Sequence, residues 1–307
     1  MAAKVGAQPS SGRVATIAVW GARVAWLAVA LVGGRAVGDA VADHAHSAAL
    51  VITIAAWVGW AIGALALTIP ATHSLTAARV VVPGALAVAV ATAVGGADLV
   101  AVVQLAAPAA LATVLVDSAE FGRTWVQASA YGDEQRFPLR PPLGYLLAAT
   151  AAWIIWIVAV VVAVVACADR RWPIAIPTLA IALAGLVVLP RRWHQLSRRW
   201  LVSVPAGFVV HDPVVLGETL MLSRRQIAGL GAVTADARDA QAAADLSGPT
   251  PGVGVAVSLT ESVTALFSPR PGLPEGRAIH LRAFVIAPSR PGAVLVAAAR
   301  RRFPVRG

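Results

Sequence analysis

Charged and nucleophilic side chains are sparse in this chain, and those present gather in short clusters. Asp39, Asp43, His44 and His46 form the first. If the stretch is helical, Asp39, Asp43 and His46 share one face at i, i+4 and i+7, so two carboxylates and an imidazole could meet on a divalent metal. His44 points elsewhere. No HExxH-type spacing accompanies the group, and a solvated turn with no bound metal is the ordinary reading. The second cluster is Glu120, Arg123, Asp133, Glu134, Arg136 and Arg140. Its acids alone do not make an acid/base pair. The third is the stretch Arg191-Arg192-Trp193-His194-Gln195-Leu196-Ser197-Arg198-Arg199-Trp200, whose four guanidinium groups suit anionic headgroups or an acidic partner.

No catalytic constellation joins these clusters. The chain lacks GxSxG, P-loop, HExxH and CxxC motifs. His194 and His211 each stand alone near polar turns, where a structural hydrogen bond is the usual role of a histidine. Cys167 is the single cysteine, which excludes an intramolecular disulfide and a cysteine-based zinc cluster. The expectation is a protein without enzymatic activity or cofactor.

The elements that position these residues are mostly apolar helices. Hydrophobic residues make up 58% of the 307 residues, well above the share in soluble globular chains. Six apolar runs read as membrane spans, the first of them long enough to cross a hydrocarbon core of about 30 Å at 1.5 Å per residue. They cover Val14 to Val32, Ala48 to Ile69, Leu75 to Val94, Leu99 to Val116, Tyr145 to Ala166 and Ile174 to Leu189. Pro83-Gly84 should kink the third. Two polar side chains lie within spans. Arg23, between Trp20 and Trp26, is close enough to a helix end to snorkel or to bond inside the bundle. Gln104 reads as interhelical glue in preference to a substrate ligand.

The formal net charge of +10 does not point to nucleic acid, because the arginines gather at helix ends without aromatic interleaving on a polar scaffold. Membrane orientation explains them better. With both termini in the cytoplasm, that side collects Lys4, Arg13, Arg79, Arg123, Arg136, Arg140, Arg191, Arg192, Arg198 and Arg199, and the outside keeps only Arg35, Arg170 and Arg171. The expected organisation is a mobile cytoplasmic tail over 1–13, a six-helix transmembrane domain over 14–190 in the plasma membrane, and a cytoplasmic domain over 191–307. The 117–142 loop, with Trp125, Tyr131 and Phe137, is long enough either to plug the bundle or to dock on the cytoplasmic domain or a partner.

After Arg199 the period changes from helix to strand. Trp200 to Val204, Phe208 to His211 and Val214 to Leu222 alternate with Pro205-Ala206-Gly207 and Asp212-Pro213 turns. Ser223 to Leu230 reads as a polar lead-in, residues 231–252 as a flexible insertion, and Val253 to Thr260 and Ala278 to Ile286 as further strands. Pro269 to Gly276 is a loop. Pro291 opens a last helix, and Arg300, Arg301 and Arg302 complement the negative end of its dipole or meet an acidic partner.

The opening meander Trp200-Leu201-Val202-Ser203-Val204, an Ile-bearing segment after basic residues, further strands and a helix after Ser289-Arg290-Pro291 together resemble a bacterial pleckstrin-homology-like domain. The whole chain is similar to a family of uncharacterised multi-pass membrane proteins of high-GC Gram-positive bacteria. The stretches carrying that likeness are Gly132 to Pro142, Val204 to Pro213 and Pro288 to Gly292. The residue pattern predicts a six-helix α-helical membrane bundle followed by a small β-rich soluble domain with a C-terminal helix, and the resemblance agrees with a multi-pass membrane protein carrying such a domain.

On this reading the domain binds a protein partner or the anionic inner leaflet as an accessory factor of a membrane or envelope complex. Arg136, Arg140, Arg191, Arg192, Arg198 and Arg199 are its candidate contact residues. A transporter of a small molecule is the alternative, which Pro83, Pro108, Pro177 and Gln104 leave open.

Overall fold

The computed structural model describes residues 10–234, 243–269 and 276–306. The chain divides into two compact units, one formed by Pro9–Trp125 with Ala149–His194 and the other by Val126–Ala148 with Gln195–Gly307. The second unit therefore draws on two separate stretches, where the sequence suggests a single run from residue 191.

The helical unit contains α1 (Ser10–Ala40), α2 (His46–Thr68), α3 (Thr72–Val81), α4 (Gly84–Val94), α5 (Leu99–Asp117) and the start of α6 (Ala119–Gln127). Most of α7 (Leu143–Ala168) and α8 (Trp172–Ser197) completes it. Six helices are long and apolar enough to cross a membrane, α3 and α4 counting as one. Pro83 has no N–H and breaks that span at Val82–Pro83, as expected. The indole of Trp153 donates to the Val80 carbonyl beside the break at 2.9 Å.

Two helices overrun their expected ends. The first starts at Ser10 and continues to Ala40, so residues 10–13 of the expected tail are helical, and residues 1–9 lie outside the described residues. Its extension is supported by Arg35, which pairs with Asp39 one turn on at 3.8 Å and with Asp98 at 3.4 Å. The last span continues through Pro190 to Ser197, which makes Arg191 and Arg192 helical residues.

Within a membrane, helices are held by close backbone approach and by hydrogen bonds, because lipid supplies no hydrophobic drive between them. Both devices are present. On α1, Gly21 and Gly33 face Leu115 and Leu105 of α5; a Cβ on Gly33 would come within 2.8 Å of the Leu105 side chain. Trp26 and Trp60 exchange indole-to-carbonyl bonds between α1 and α2, each 3.0 Å. Gly63 leaves room for the Trp26 ring, and Gly185 on α8 does the same for Trp156, which donates to the Ala182 carbonyl at 3.0 Å.

The soluble unit is built from two antiparallel-dominated sheets. Strands β1 (Gln135–Pro138), β2 (Trp200–Val204), β3 (Gly207–His211) and β4 (Leu220–Ser223) lie in that order. The second sheet has the order β5 (Ile227–Val233), β7 (Gly254–Phe267), β8 (Arg277–Ile286) and β6 (Ala244–Asp245). Phe137, Leu201, Phe208 and Leu222 from the first sheet share one core with Leu230, Val257, Phe284 and Ile286 from the second. Helix α9 (Pro291–Arg300) closes that core with Val294 and Ala298. Each such large side chain contributes about 1.5–3 kcal/mol on burial.

Several sequence expectations change here. Of the expected strand Val214 to Leu222 only Leu220 onward is strand, because the Asp212 carboxylate accepts the Val214 and Val215 N–H groups at 3.1 and 3.2 Å and turns the chain. The lead-in at 223–230 is a 3-10 turn over Arg224–Gln226 followed by β5. Of the expected insertion, residues 235–242 lie outside the described residues, as do 270–275 of the expected loop.

Helix α9 ends in a paired-bond cap: the Arg302 and Phe303 N–H groups reach the Ala299 and Ala298 carbonyls, both at 2.9 Å. Arg302 occupies the left-handed position at φ +60°, where glycine is usual and an L side chain costs about 1 kcal/mol.

Candidate partner-binding face

The candidate site lies on the face of the β1–β4 sheet that points away from the core. Register pairs Arg136 with Val202, Trp200 with His211, Val202 with Val209 and Val209 with Met221. Directly opposed residues share a face, so these six side chains form one surface while Phe137, Leu201, Phe208 and Leu222 point inward.

Cations and one aromatic ring line this face. The Arg136 guanidinium sits 5.2 Å from the centroid of the Trp200 ring, which stacks on His211 at 5.2 Å. Arg136 is also held by Glu134, whose Oε1 accepts from Nε and Nη2 at 2.9 and 2.6 Å. Arg198, exposed at the end of α8, brings Nη2 to 3.4 Å from His211 Nε2, and His211 Nδ1 lies 3.1 Å from Thr219 Oγ1. Burial, aided by Arg198 and then Arg136, pushes the His211 pKa below its ordinary value against the opposing pull of Asp212. The neutral tautomer that fits both contacts accepts from Arg198 at Nε2 and donates from Nδ1 to Thr219.

Beside the cations is an open, shallow apolar depression bordered by Val204, Ala206, Val209, Met221 and Gln226. Met221 is 70% exposed. Guanidinium and indole groups on the same sheet face as an apolar depression bordered by a thioether match the chemistry of protein-interface hot spots.

Apart from Arg136 on Trp200, the predicted contact arginines separate into two groups. Arg191, Arg192 and Arg198 are exposed. Arg199 and Arg140 instead hold the soluble unit together. Arg199 is buried against Asp212, with Nε–Oδ1 at 2.8 Å and Nη2–Oδ2 at 2.7 Å, and its Nη1 donates to the Arg140 carbonyl at 2.7 Å. The Arg140 guanidinium donates in turn to the Pro251 and Val253 carbonyls. A guanidinium without exposed surface is closed to a headgroup, which removes Arg199 from the contact set.

In the helical unit, Arg23 makes the bundle-internal bond expected as its ordinary role. Its Nε donates to the Leu67 carbonyl at 2.9 Å, and Trp125 Nε1 donates to the Ala66 carbonyl at 3.3 Å. These are carbonyls at the end of α2, where orphan acceptors need outside donors. Gln104 does not act as glue within the chain. The face of α5 carrying Ala101, Leu105, Ala109 and Ala112 is buried, and Gln104, one residue off that stripe, is exposed without a hydrogen bond among the described residues.

The Asp39, Asp43 and His46 face is not formed either, because the chain turns at residues 41–45. Among the described residues no group of three or more metal-ligating side chains converges.

Sequence reasoning missed β1 and α6. The 117–142 stretch divides between the two units at Trp125 and Val126. On α6, Phe121 and Trp125 stack at 3.8 Å and are fully buried in the helical unit. Their i, i+4 spacing is the signal that was available. The Gln135–Pro138 segment becomes an edge strand through non-local pairing with β2, which no local pattern announces.

Six membrane-length apolar helices and a separate β-rich unit define a multi-pass membrane protein with a soluble domain. No protein-family model, curated protein or solved structure matches the chain.

Proposed function

We propose that this is a non-enzymatic membrane protein whose β-rich domain binds a protein partner through the Arg198–His211–Trp200–Arg136 face. The observation that carries the reading is that exposed Met221 shares the outer face of the β1–β4 sheet with Trp200, held between Arg136 and His211, and that exposed Arg198 reaches the same His211. The partner segment is acidic and carries an apolar side chain for the adjoining depression. Two four-stranded sheets sharing a core with a C-terminal helix support the pleckstrin-homology-like expectation. The excess of basic residues in one set of inter-span segments supports placing both termini in the cytoplasm of a plasma membrane, with Arg191 and Arg192 near the inner leaflet.

Crosslinking in native membranes followed by mass spectrometry tests this. Compared with the wild-type chain, Arg198→Glu combined with Met221→Glu should lose one defined set of neighbours while the protein remains folded and inserted. An unchanged neighbour set sinks the partner reading, and a reporter fused after Gly307 that proves external sinks the topology.

A further inference from the structure

A second basic surface lies on the soluble unit, built from three places in the sequence. Arg224 and Arg225 belong to the 3-10 turn between β4 and β5, Arg300 and Arg302 to the end of α9, and Arg306 to the segment after it. Direct contacts join Arg224 to the segment that carries Arg302 and Arg306. Arg224 Nη2 donates to the Arg302 carbonyl at 2.8 Å, and its guanidinium carbon lies 4.8 Å from the centroid of the Phe303 ring. The terminal segment then pairs with β5: Leu230 N–H donates to the Pro304 carbonyl at 2.8 Å, and Arg306 N–H donates to the Leu230 carbonyl at 2.7 Å.

These arginines are not balanced locally. All five are exposed, and among the described residues none has a carboxylate within ion-pair distance. Of the acids bonded to neighbouring residues, Asp133 pairs with Arg301 at 2.9 Å, and Glu261 accepts from the Gln226 amide at 2.9 Å. Arg302 also keeps its charge in a left-handed position that a cap alone would leave to glycine.

We propose that this arginine crest binds an anionic membrane surface. Three observations favour a bilayer over an acidic protein. None of the large apolar side chains exposed on the soluble unit belongs to the crest segments, so the apolar anchor typical of a protein interface is missing there. None of the five arginines lines the depression on the β1–β4 sheet, which ends at Ser223 and Gln226, so the guanidinium groups themselves stand outside a pocket. The domain also follows a membrane-length helix in the chain, so a bilayer is present at high effective concentration. Guanidinium groups pair with lipid phosphates through paired N–H donors, and the attraction is screened by salt. The crest adjoins the proposed partner face at Ser223 and Gln226 but shares no arginine with it, and it does not depend on that reading.

The test uses the full chain in neutral phosphatidylcholine nanodiscs, mixed with vesicles of phosphatidylcholine alone or with added phosphatidylglycerol and separated by flotation. The wild-type protein should float with the anionic vesicles only, and less so as salt is raised. Arg225→Gln, Arg300→Gln and Arg306→Gln together should weaken association about a hundredfold, from about fivefold per arginine. Unchanged melting of the triple variant shows that folding is not the cause. Equal flotation with neutral vesicles overturns the proposal, as does wild-type-like binding by the triple variant. So does binding of a polyglutamate peptide that needs the three arginines when anionic vesicles do not bind.

Discussion

Arg199 and Asp212 form a two-bond ion pair in which the side chains are 0% and 1% exposed, joining the residue before β2 to the turn after β3. Asp212 also organises its own turn by accepting the Val214 and Val215 N–H groups. The Arg199 Nη1 contact to the Arg140 carbonyl extends the same network to the segment after β1. The pair therefore acts as a fastener of the soluble unit.

Breaking that pair from one side leaves a buried charge uncompensated. Arg199→Met should destabilise the soluble unit by about 3–5 kcal/mol, and adding Asp212→Leu should recover only part of the loss, because the Val214 and Val215 N–H groups also lose their acceptor. Limited proteolysis of the full chain against temperature reads both. A single variant as resistant as wild type would contradict the fastening role.

Protonation of His211 should weaken the soluble unit in mild acid. Its folded-state pKa is lowered, mainly by burial, so below the ordinary histidine value near 6.5 the unfolded chain takes up the proton first. The stabilising contribution is full above that value and is lost as pH falls through the folded-state pKa. Melting temperature measured from pH 7.5 to 5.5 should fall, and His211→Gln should flatten the slope. An unchanged slope in the variant would assign the acid response to another group.

Glycine at position 63 is required by the Trp26 ring, since a Cβ there would stand 2.4 Å from the ring edge. Gly63→Ala should cost about 1–3 kcal/mol by overpacking and disturb the Trp26–Trp60 exchange of hydrogen bonds. Unfolding in denaturing detergent, followed by tryptophan fluorescence, would show the loss. Gly59→Ala, which meets nothing within 4 Å, is the matched control.

Removing the Arg23 guanidinium should uncover the Leu67 carbonyl at the end of α2. Arg23→Met should destabilise the helical unit by about 1–3 kcal/mol, the cost of leaving a buried acceptor unmet. Hydrogen exchange at the end of α2 should rise, and unchanged protection there would show that another donor takes over.

The membrane-length helices were legible in the sequence because each is a local property of some twenty consecutive apolar residues. The kink at Pro83 follows from a missing N–H, and the strands at Trp200–Val204 and Gly207–His211 follow from turn residues beside Val-rich runs. Arg23 was legible as a residue needing a partner, because a guanidinium within a span must find one. The particular roles of the arginines were not. Arg136, Arg140, Arg198 and Arg199 look alike as a charge pattern. Non-local pairing of residues 135–138 with 200–203 buries Arg199 on Asp212, ties Arg140 to the 251–253 carbonyls, sets Arg136 on Trp200 and leaves Arg198 exposed. Hydropathy and charge are summed along the chain and can be read there, whereas burial and pairing depend on which distant segments meet, and only the tertiary structure decides that.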